Sequence, residues 1–589
     1  MPSNLPLSSL LRLACLALLL VPALTRAQPG PDSLRTEYLD RPLGLDVETP
    51  RFSWQMTPPG GGRGSRQQAY RILVSAPSGA VVWDSGRVNS GESLLVPYGG
   101  SALQPKTRYL WEVTSWDQEG RQARRASWFE TGLLDPDPDS GAWQGAAWIG
   151  GGDADLPFYS HALSVFRLDF TLQLDQATGS ERAAFVLGAN DLRLLRRDYN
   201  IQGVQSARKG HYLAVELDIS GLQADKPARL HLYRVGYAPA DSAEVPFQSF
   251  DISETLLNRG NRYQPHRVYL TSTFGMVRLF LDGTEAEHEV TRSESDSPFA
   301  PRGVNVNPVG RGQDYISFPL LADIGFRLPP GQTATFSQYE VRHAREPSNL
   351  LFSEHPGGTP GYAGLFADHI GPGAQLVAGG LQLSGGEQGL LLTADPSRNA
   401  APMLRTAFQV ADKPVAAARL YATARGIYEM HLNGQRVGEA WFAPGLTQYN
   451  RHQQYQTYDL TEQLRPGAEN VLGGWLGEGW WSGNITYSGA NWNYFGDRQS
   501  LRALLEITYE DGSQTVVTTG PETWKLHTDG PLRSGSFFQG EVYDARLEAG
   551  LGKWTEPGYD DSGWKQARVV PLAGTTFPGL SFDGGQLIG

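Results

Sequence analysis

Met430-His-Leu-Asn-Gly-Gln-Arg-Val437 predicts a β-hairpin. A strand leads into Asn433-Gly434 and a second strand returns, and Asn-Gly is the strongest short signal for a two-residue type I′ turn. Such a turn fixes which residues pair across the two strands. Asn433 and Gly434 are therefore expected to have a structural role.

The composition of the whole chain also indicates a mainly β protein. Its 589 residues predict several domains, at roughly 100–200 residues per domain. Glycine (69) and proline (39) are frequent and aromatic residues make up 11%, which favours short strands and tight turns over long helices. The formal net charge is −12 and no basic block occurs, so nucleic acid is not an expected partner.

The N-terminal residues 1–27 have the pattern of a secretory signal peptide. An apolar run at 13–21 is shorter than the roughly 20 residues needed to span a bilayer, and a small-residue cleavage pattern follows it, ending at Ala27. Because Arg12 disfavours a lipid-attachment motif, we expect a periplasmic or extracellular protein without a membrane anchor. The only cysteine, Cys15, lies in this segment, which excludes disulfides, cysteine–zinc sites and thiol catalysis in the processed chain.

Residues 34–135 predict a β-sandwich of the fibronectin III type. Short apolar and aromatic runs alternate there with Pro-Pro-Gly and Ser-Gly turn signals, at spacings typical of a sandwich. Trp54 and Trp111 alternate with polar neighbours and are expected in its core. Residues 136–157 are expected to form a linker, because the two prolines of the Asp-Pro-Asp-Pro-Asp sequence that starts at Asp135 favour an extended connection. An EF-hand calcium loop is excluded there because the glutamate that it needs is missing.

A second β-rich region, 158–345, is predicted as a concanavalin-like jelly roll. Strand patterns run through it, and the strand that ends at Leu281 leads directly into Asp282-Gly283, which predicts a tight hairpin at that point. Residues 346–399 are rich in glycine, proline and serine, so we expect a linker with connecting strands there.

Distinctive motifs occur in the first β region and in a third one, which spans 400–572. They are Arg41-Pro-Leu-Gly-Leu-Asp-Val-Glu-Thr-Pro-Arg-Phe-Ser-Trp-Gln55, Ala400-Ala-Pro-Met-Leu-Arg405, Ala424-Arg-Gly-Ile-Tyr-Glu-Met-His-Leu-Asn-Gly-Gln-Arg-Val-Gly438, Leu476-Gly-Glu-Gly-Trp-Trp481 and Phe538-Gln-Gly-Glu-Val-Tyr-Asp-Ala-Arg546. Together they resemble the N-terminal half of bacterial α-L-rhamnosidases, a glycoside hydrolase family. The resemblance covers about 36–149 and 400–572, with the second β region inserted between them, as in some members of the family.

The resemblance implies tandem β-sandwiches: fibronectin III-like, concanavalin-like and, over 400–572, the family's galactose-binding-like jelly roll. Residues 573–589 are then expected to be the truncated start of a further domain. The family's catalytic (α/α)6 barrel is expected to be absent from this chain, because its acidic motif, an Asp followed by Arg-Asp-Glu-Arg, occurs nowhere in the sequence. We therefore expect the N-terminal fragment of a secreted, inverting enzyme that hydrolyses terminal non-reducing α-L-rhamnose from glycosides or polysaccharides.

The chain alone is expected to be inactive, and no catalytic residue is predicted in it. Hydrolysis of a glycoside needs two carboxyl groups about 5–9.5 Å apart, which the resemblance places in the barrel. Of the acidic pairs that remain, Asp560-Asp561 is predicted to be a solvated turn cap, and Glu541 and Asp544 should point to opposite faces of a strand. The alternative hypothesis is a stand-alone, non-catalytic carbohydrate-binding protein.

Aromatic and charged side chains of the third β region are the candidate carbohydrate site. Exposed aromatic faces bind the apolar edges of sugars, and planar polar groups bind the hydroxyls. The candidates are Trp480, Trp481, Trp492, Tyr494, Asp497 and Arg498. Of the two adjacent tryptophans, one can be core while the other is exposed. The expected partner is a rhamnose-containing glycan, and the resemblance leaves open a calcium ion in this jelly roll, for which no ligand is predicted.

Overall fold

The computed structural model describes residues 30–57, 64–195, 210–292, 303–309, 318–344, 350–358, 362–485, 492–538, 540–571 and 586–589. The predicted signal peptide, 1–27, lies outside these residues. Strands dominate, which confirms the mainly β prediction, and the only α-helices in the described ranges are Leu192–Leu195 and Ala545–Leu551. Neither they nor any other helix described there is long and apolar enough to cross a bilayer.

The chain divides into two compact units, and the first is formed mainly by the residues up to Trp143. Two antiparallel sheets build it, in the strand orders β1-β2-β5 and β4-β3-β6-β7. Trp54 and Trp111 are buried in its core, as predicted, and Trp111 packs on Phe52 with ring centroids 4.6 Å apart. The strands are β1 (Gly30–Thr36), β2 (Arg51–Thr57), β3 (Gln67–Ser75), β4 (Val81–Asp84), β5 (Val96–Pro97), β6 (Arg108–Asp117) and β7 (Gln122–Glu130).

The second unit starts with the short strand β8 (Ile149–Gly150) and continues into a large jelly roll. One sheet of the jelly roll has the order β13-β12-β11-β10-β17-β22, and the other has the order β16-β15-β14-β9-β18-β21-β20, with β19 also paired to β18. The strands are β9 (Val165–Leu174), β10 (Arg182–Ala189), β11 (Tyr212–Asp218), β12 (Arg229–Val235), β13 (Gln248–Asp251), β14 (His266–Thr273), β15 (Met276–Leu281), β16 (Val304–Asn305), β17 (Asp323–Leu328), β18 (Thr333–His343), β19 (Leu350–Glu354), β20 (Ala374–Val377), β21 (Gly380–Ser384) and β22 (Leu390–Ala394).

The segment 346–399, expected to be a linker with connecting strands, is an integral part of this jelly roll. Strands β19, β20 and β21 extend one sheet and β22 completes the other. Leu381 and Leu383 of β21 are fully buried and alternate with the half-buried Gln382 and Ser384, as side chains of a strand with one core face do. The glycines that suggest a linker permit close backbone approach instead, since a side chain at Gly380 would collide with the carbonyl oxygen of Phe336.

The tight hairpin of this region lies one turn earlier in the chain than predicted. Strands β14 and β15 are joined by Phe274-Gly275, whose φ angles are +50° and +86°. After Asp282-Gly283 the described chain forms a short 3₁₀ turn and a single bridge, with no returning strand. The carboxylate of Asp282 instead accepts a hydrogen bond from the backbone N–H of Arg267 (2.8 Å). The prediction at Asp282-Gly283 was therefore wrong, because the aspartate caps the preceding hairpin.

A third β region completes the second unit. One sheet has the order β26-β25-β29-β23-β32-β35, and a second contains the run β24-β30-β8-β36. The strands are β23 (Met403–Gln409), β24 (Val415–Arg425), β25 (Ile427–Leu432), β26 (Gln435–Arg436), β27 (His452–Gln454), β29 (Glu469–Gly477), β30 (Ser500–Tyr509), β31 (Gln514–Thr518), β32 (Lys525–His527), β33 (Leu532–Ser536), β34 (Gly540–Tyr543), β35 (Lys565–Gln566) and β36 (Arg568–Val569). Two further segments belong to the first unit: residues 456–458 of β28 (Gln456–Asp459), and the last strand, β37 (Gln586–Ile588).

The hairpin predicted at Asn433-Gly434 is confirmed. The two φ angles are +52° and +87°, and Leu432 pairs with Gln435 across the turn. The amide group of Asn433 donates to the side-chain oxygen of Asn470 (2.7 Å) and accepts from the backbone N–H of Val471 (3.0 Å). The turn is therefore fixed both by its own backbone and by strand β29.

The jelly roll of β9–β22 is inserted into the third β region. Strand β8, which precedes the insertion, pairs with β30 and β36, which follow it. At the junction, Phe158 and Arg398 exchange two backbone hydrogen bonds of 2.8 Å. The start and the end of the inserted jelly roll are therefore direct neighbours.

Candidate carbohydrate-binding site

The predicted site residues follow strand β29, where the chain turns at Glu478. Gly479 and Gly483 have φ angles of +59° and +67°, which glycine adopts without strain. A side chain at Gly483 would also collide with the carboxyl group of Glu478. The Gly-Glu-Gly-Trp-Trp sequence is therefore a turn that holds one carboxyl group against the backbone.

Trp481 is a core residue. Its side chain is 2% exposed, its indole N–H donates to the carbonyl oxygen of Arg498 (3.0 Å), and its ring stacks on Phe495 at a centroid distance of 6.3 Å. A ring buried in this way presents no face to a sugar in solvent. Its neighbour Trp480 stays half-buried, so the two adjacent tryptophans do have different environments.

Trp492 joins the two jelly rolls of the second unit. Its ring stacks on His343 of strand β18, with centroids 4.9 Å apart and ring planes 14° apart. It also packs against the hydrophobic core of the inserted jelly roll. Tyr494 meets Phe495 edge to face at 4.7 Å. The structure therefore gives Trp492 a role in domain packing.

Asp497 and Arg498 form a bidentate ion pair, with N–O distances of 2.8 and 2.6 Å. Arg498 also donates to Asp153 (2.7 Å). Hydrogen bonding to Asp497 is the main reason why the pKa of Arg498 lies above its ordinary value. The guanidinium is thus engaged by two carboxylates, and a sugar hydroxyl would have to compete with them.

The six predicted residues do not form one exposed site. Trp480 packs against Phe537, which is not one of the six, with ring centroids 4.3 Å apart. The carbohydrate-binding role of the predicted residues other than the buried Trp481 stays a prediction.

Glu478 has the most unusual chemistry in this region, and the predicted site did not include it. Burial raises the pKa of its carboxyl group to about 8. No hydrogen-bond donor of the described residues contacts this carboxyl group. With this pKa the protonated form of the carboxyl group predominates at neutral pH. The sequence feature that could have pointed to Glu478 is its position between two glycines, directly before two tryptophans.

Glu478 borders a cavity of about 20 Å³ between the two jelly rolls. Tyr159, Asn484, Trp492 and Arg533 also line it, and burial raises the pKa of Tyr159 to about 12. The space is sufficient for one water molecule and is much smaller than a sugar ring. Glu478 is the only carboxyl group among the described lining residues, so the cavity lacks the pair that hydrolysis of a glycoside requires.

The acidic pairs singled out in the sequence have structural roles. Asp560 caps a turn by accepting from the backbone N–H of Ser562 (3.0 Å), as predicted. Asp561 was expected to be solvated as well, but it binds Lys525 (2.6 Å) and the buried guanidinium of Arg405. That prediction failed because Arg405, far away in sequence, is buried beside it.

Glu541 and Asp544 have different surroundings. Glu541 is exposed on strand β34, whereas Asp544 is the N-cap of helix Ala545–Leu551 and pairs with Arg546 (2.6 Å). Neither residue lines the cavity beside Glu478 that is described above.

Among the residues that the structure describes, two groups of side chains could hold a metal ion, and both lie in the inserted jelly roll. They are His161 with Asp323 and Asp395, and Glu216 with Asp218 and His231. Each group offers an imidazole and two carboxylates, whereas calcium takes about six to eight oxygen ligands, so neither group fits calcium. Within the described ranges the third β region contains no such group, and the calcium ion left open there stays a prediction.

Two family models match separate parts of the chain. Residues 31–135 match the Rha78A-like N-terminal immunoglobulin domain, and residues 413–578 match the α-L-rhamnosidase N-terminal domain. Between them they cover the first sandwich and most of the third β region.

Whole proteins match as well. An α-L-rhamnosidase of Streptomyces avermitilis is 31% identical over 552 residues, which is 90% of this chain and 44% of the relative. An α-L-rhamnosidase of Formosa agariphila is 35% identical over 191 residues, 32% of this chain and 20% of the relative. The crystal structure of the Streptomyces avermitilis enzyme complexed with L-rhamnose matches with a TM-score of 0.51 and 25% identity, over 95% of this chain and 46% of that chain.

These matches define two of the chain's β regions as domain types that occur in α-L-rhamnosidases, a class of glycoside hydrolase. Its immunoglobulin domain, 31–135, and its jelly-roll domain, 413–578, match those of the α-L-rhamnosidase family. The chain spans less than half the length of the curated relatives that it matches.

Proposed function

We propose that this chain is the N-terminal, β-domain part of an exported α-L-rhamnosidase that releases terminal non-reducing α-L-rhamnose from a glycan. The observation that supports this most strongly is the continuous similarity to the Streptomyces avermitilis α-L-rhamnosidase over 90% of this chain, inserted jelly roll included. A shared order of domains over such a length is difficult to explain by a common fold alone.

In this proposal the β domains bind the glycan and brace a catalytic domain that carries the two carboxyl groups. The environments of the acidic residues discussed above support this division of labour. Asp561, Asp544 and Asp497 are each bonded to an arginine, and Glu478 is held protonated in a cavity smaller than a sugar. A general acid and a general base about 5–9.5 Å apart would then lie in the part of the relatives that this chain does not span.

The test is hydrolysis of 4-nitrophenyl α-L-rhamnopyranoside. Two proteins are compared: the 589 residues alone, and the same chain extended by the downstream reading frame of its gene. We expect release of 4-nitrophenol only from the extended protein, with the α-L-fucopyranoside analogue as the specificity control.

Two outcomes contradict the proposal. Turnover by the 589 residues alone would mean that catalysis uses residues assigned a structural role above. A stop codon directly after codon 589, together with measurable glycan binding, would favour a stand-alone carbohydrate-binding protein instead.

A further inference from the structure

We propose that an exposed aromatic surface of the third β region binds sugar rings. The surface consists of Trp441 and Phe442, together with Trp480, Phe537 and Phe538. Phe442 packs edge to face on Phe537 (5.0 Å), and Phe537 packs on Trp480 (4.3 Å), so these rings are continuous. The proposal depends on the proposed function only for the choice of rhamnose as the first ligand to try.

The exposure of these rings is the first observation. Trp441 is 69% exposed and Phe442 is 54% exposed, and Phe538, which follows Phe537 in the chain, is exposed as well. Tryptophan and phenylalanine are normally buried, and several exposed together indicate a surface that binds a partner.

The loop that carries Trp441 and Phe442 is held in place by hydrogen bonds. The guanidinium of Arg436 lies 4.1 Å from the centroid of the Trp441 ring and donates to the carbonyl oxygen of Ala440 (2.5 Å). Farther along, the backbone N–H of Tyr428 donates to the carbonyl oxygen of Ala443 (2.9 Å). The rings are thus presented by an ordered loop, which reduces the entropy lost when a ligand binds.

The backbone at Phe442 is the second observation. Its φ angle is +58°, a left-handed conformation that a bulky aromatic residue rarely adopts. Burial does not explain this strain, because the side chain points largely into solvent. Strained conformations of this kind concentrate at binding sites, where they aim a side chain at a ligand.

The chemistry of the surface fits a deoxyhexose. Aromatic faces attract the weakly positive C–H groups of a sugar ring, and a methyl group at carbon 6 adds apolar area. Arg436 also lies 3.5 Å from Glu429, so a charged pair that can bind hydroxyl groups lies over one face of the Trp441 ring. A ring with an apolar face and hydroxyls at its rim, such as α-L-rhamnopyranoside, complements this arrangement.

The experiment measures binding of methyl α-L-rhamnopyranoside by calorimetry and by saturation-transfer NMR. The variants are Trp441→Ala and Phe442→Asn, because asparagine tolerates a positive φ and should preserve the loop. We expect at least a 10-fold loss of affinity in each variant. Methyl α-L-mannopyranoside, which carries a hydroxyl at carbon 6, should bind more weakly than the rhamnoside.

Tyr38 supplies the matched control in the other compact unit. It is 58% exposed, has a φ angle of +71° and has the guanidinium of Arg51 5.7 Å from its ring centroid. Tyr38→Asn should leave affinity unchanged. Thermal unfolding of all variants shows whether the chain remains folded, and Phe442→Asn should be at least as stable as the wild type.

The proposal is overturned if the folded Phe442→Asn variant binds like the wild type, if Tyr38→Asn loses affinity equally, or if the wild-type chain shows no binding at millimolar sugar. Loss of rhamnoside hydrolysis in the extended protein with unchanged sugar affinity would also overturn it, because the surface would then contact another protein domain. Failure of the extended protein to hydrolyse rhamnosides contradicts only the proposed function.

Discussion

Glu478 shows how the surroundings of one residue set its protonation. Its folded-state pKa of about 8 lies above the ordinary value of 4.5, and burial is the cause. Folding therefore favours the protonated form, so the free energy of unfolding should fall as pH rises from about 4.5 to about 8.

Glu478→Gln should remove this dependence. Between pH 5 and pH 9 we expect the wild type to lose about 1–3 kcal/mol more stability than the variant, allowing for the partial exposure of the side chain. Denaturant unfolding at a series of pH values measures the difference. The exposed Glu541→Gln is the control and should keep the wild-type slope. If the free energies of unfolding of Glu478→Gln and the wild type change in parallel with pH, the raised pKa of Glu478 is refuted.

Asp560 and Asp561 are adjacent in sequence, but their replacement should affect stability differently. Asp561 neutralises the guanidinium of Arg405, whose side chain is 3% exposed, whereas Asp560 caps a surface turn. Asp561→Asn should lower the free energy of unfolding by about 3 kcal/mol, since it leaves a buried charge without its counter-ion. Asp560→Asn should change it far less. Equal effects in urea unfolding would show that the ion pair does not stabilise the fold.

At the scale of elements, two hairpins explain what could be predicted. The turn at Asn433-Gly434 was found because its residues match a left-handed turn by type alone. Phe274-Gly275 has similar backbone angles but no asparagine or aspartate, and the stronger local signal at Asp282-Gly283 proved misleading. Local preference identified the strands, whereas the choice of turn depended on tertiary contacts that no short pattern contains.

The same limit applies to larger pieces. Strand β21 lies in a glycine-rich stretch, and only the sheets around it show that it is a strand. For the candidate site, sequence could suggest that Trp480 and Trp481 differ, but not which is buried. The aromatic surface at Trp441 was missed because exposure and a positive φ are properties of the folded loop.

Gly275 and Gly512 provide a test at this scale. Both have a positive φ, +86° and +80°, but a side chain at Gly275 would collide with the carbonyl oxygen of Phe318, whereas Gly512 has open space around it. Gly512→Ala should lower the free energy of unfolding by about 1 kcal/mol, because alanine is strained in a left-handed turn. Gly275→Ala should lower it by at least about 2 kcal/mol more, because of the collision. Similar unfolding midpoints for the two variants would mean that the hairpin relaxes without cost.

The single cysteine of the chain allows a simple test of export. Cys15 lies in the predicted signal peptide, so a chain processed after Ala27 contains no thiol. Protein purified from the exporting host should show no reaction with Ellman's reagent, and its N-terminal residue should be Gln28. The unprocessed chain expressed in the cytoplasm should react with one equivalent. One reactive thiol in the exported protein would contradict cleavage at this position.

The insertion predicts that the third β region folds without the jelly roll it contains. Because Phe158 and Arg398 are hydrogen-bonded neighbours, residues 158–398 can be replaced by a short glycine–serine linker without distorting the third β region. The shortened protein should unfold cooperatively, and the pKa of Glu478 should return toward its ordinary value, since part of the cavity wall is removed. An unfolded product would show that the inserted jelly roll is needed for folding.

The pairing of β8 with β30 also has a consequence for synthesis. The ribosome makes Ile149 about 350 residues before its partner Leu501. At roughly 5–20 residues per second, the first strand must wait tens of seconds for the second. The inserted jelly roll is complete well before that moment, so it should acquire its fold on the nascent chain while the surrounding domain is still open.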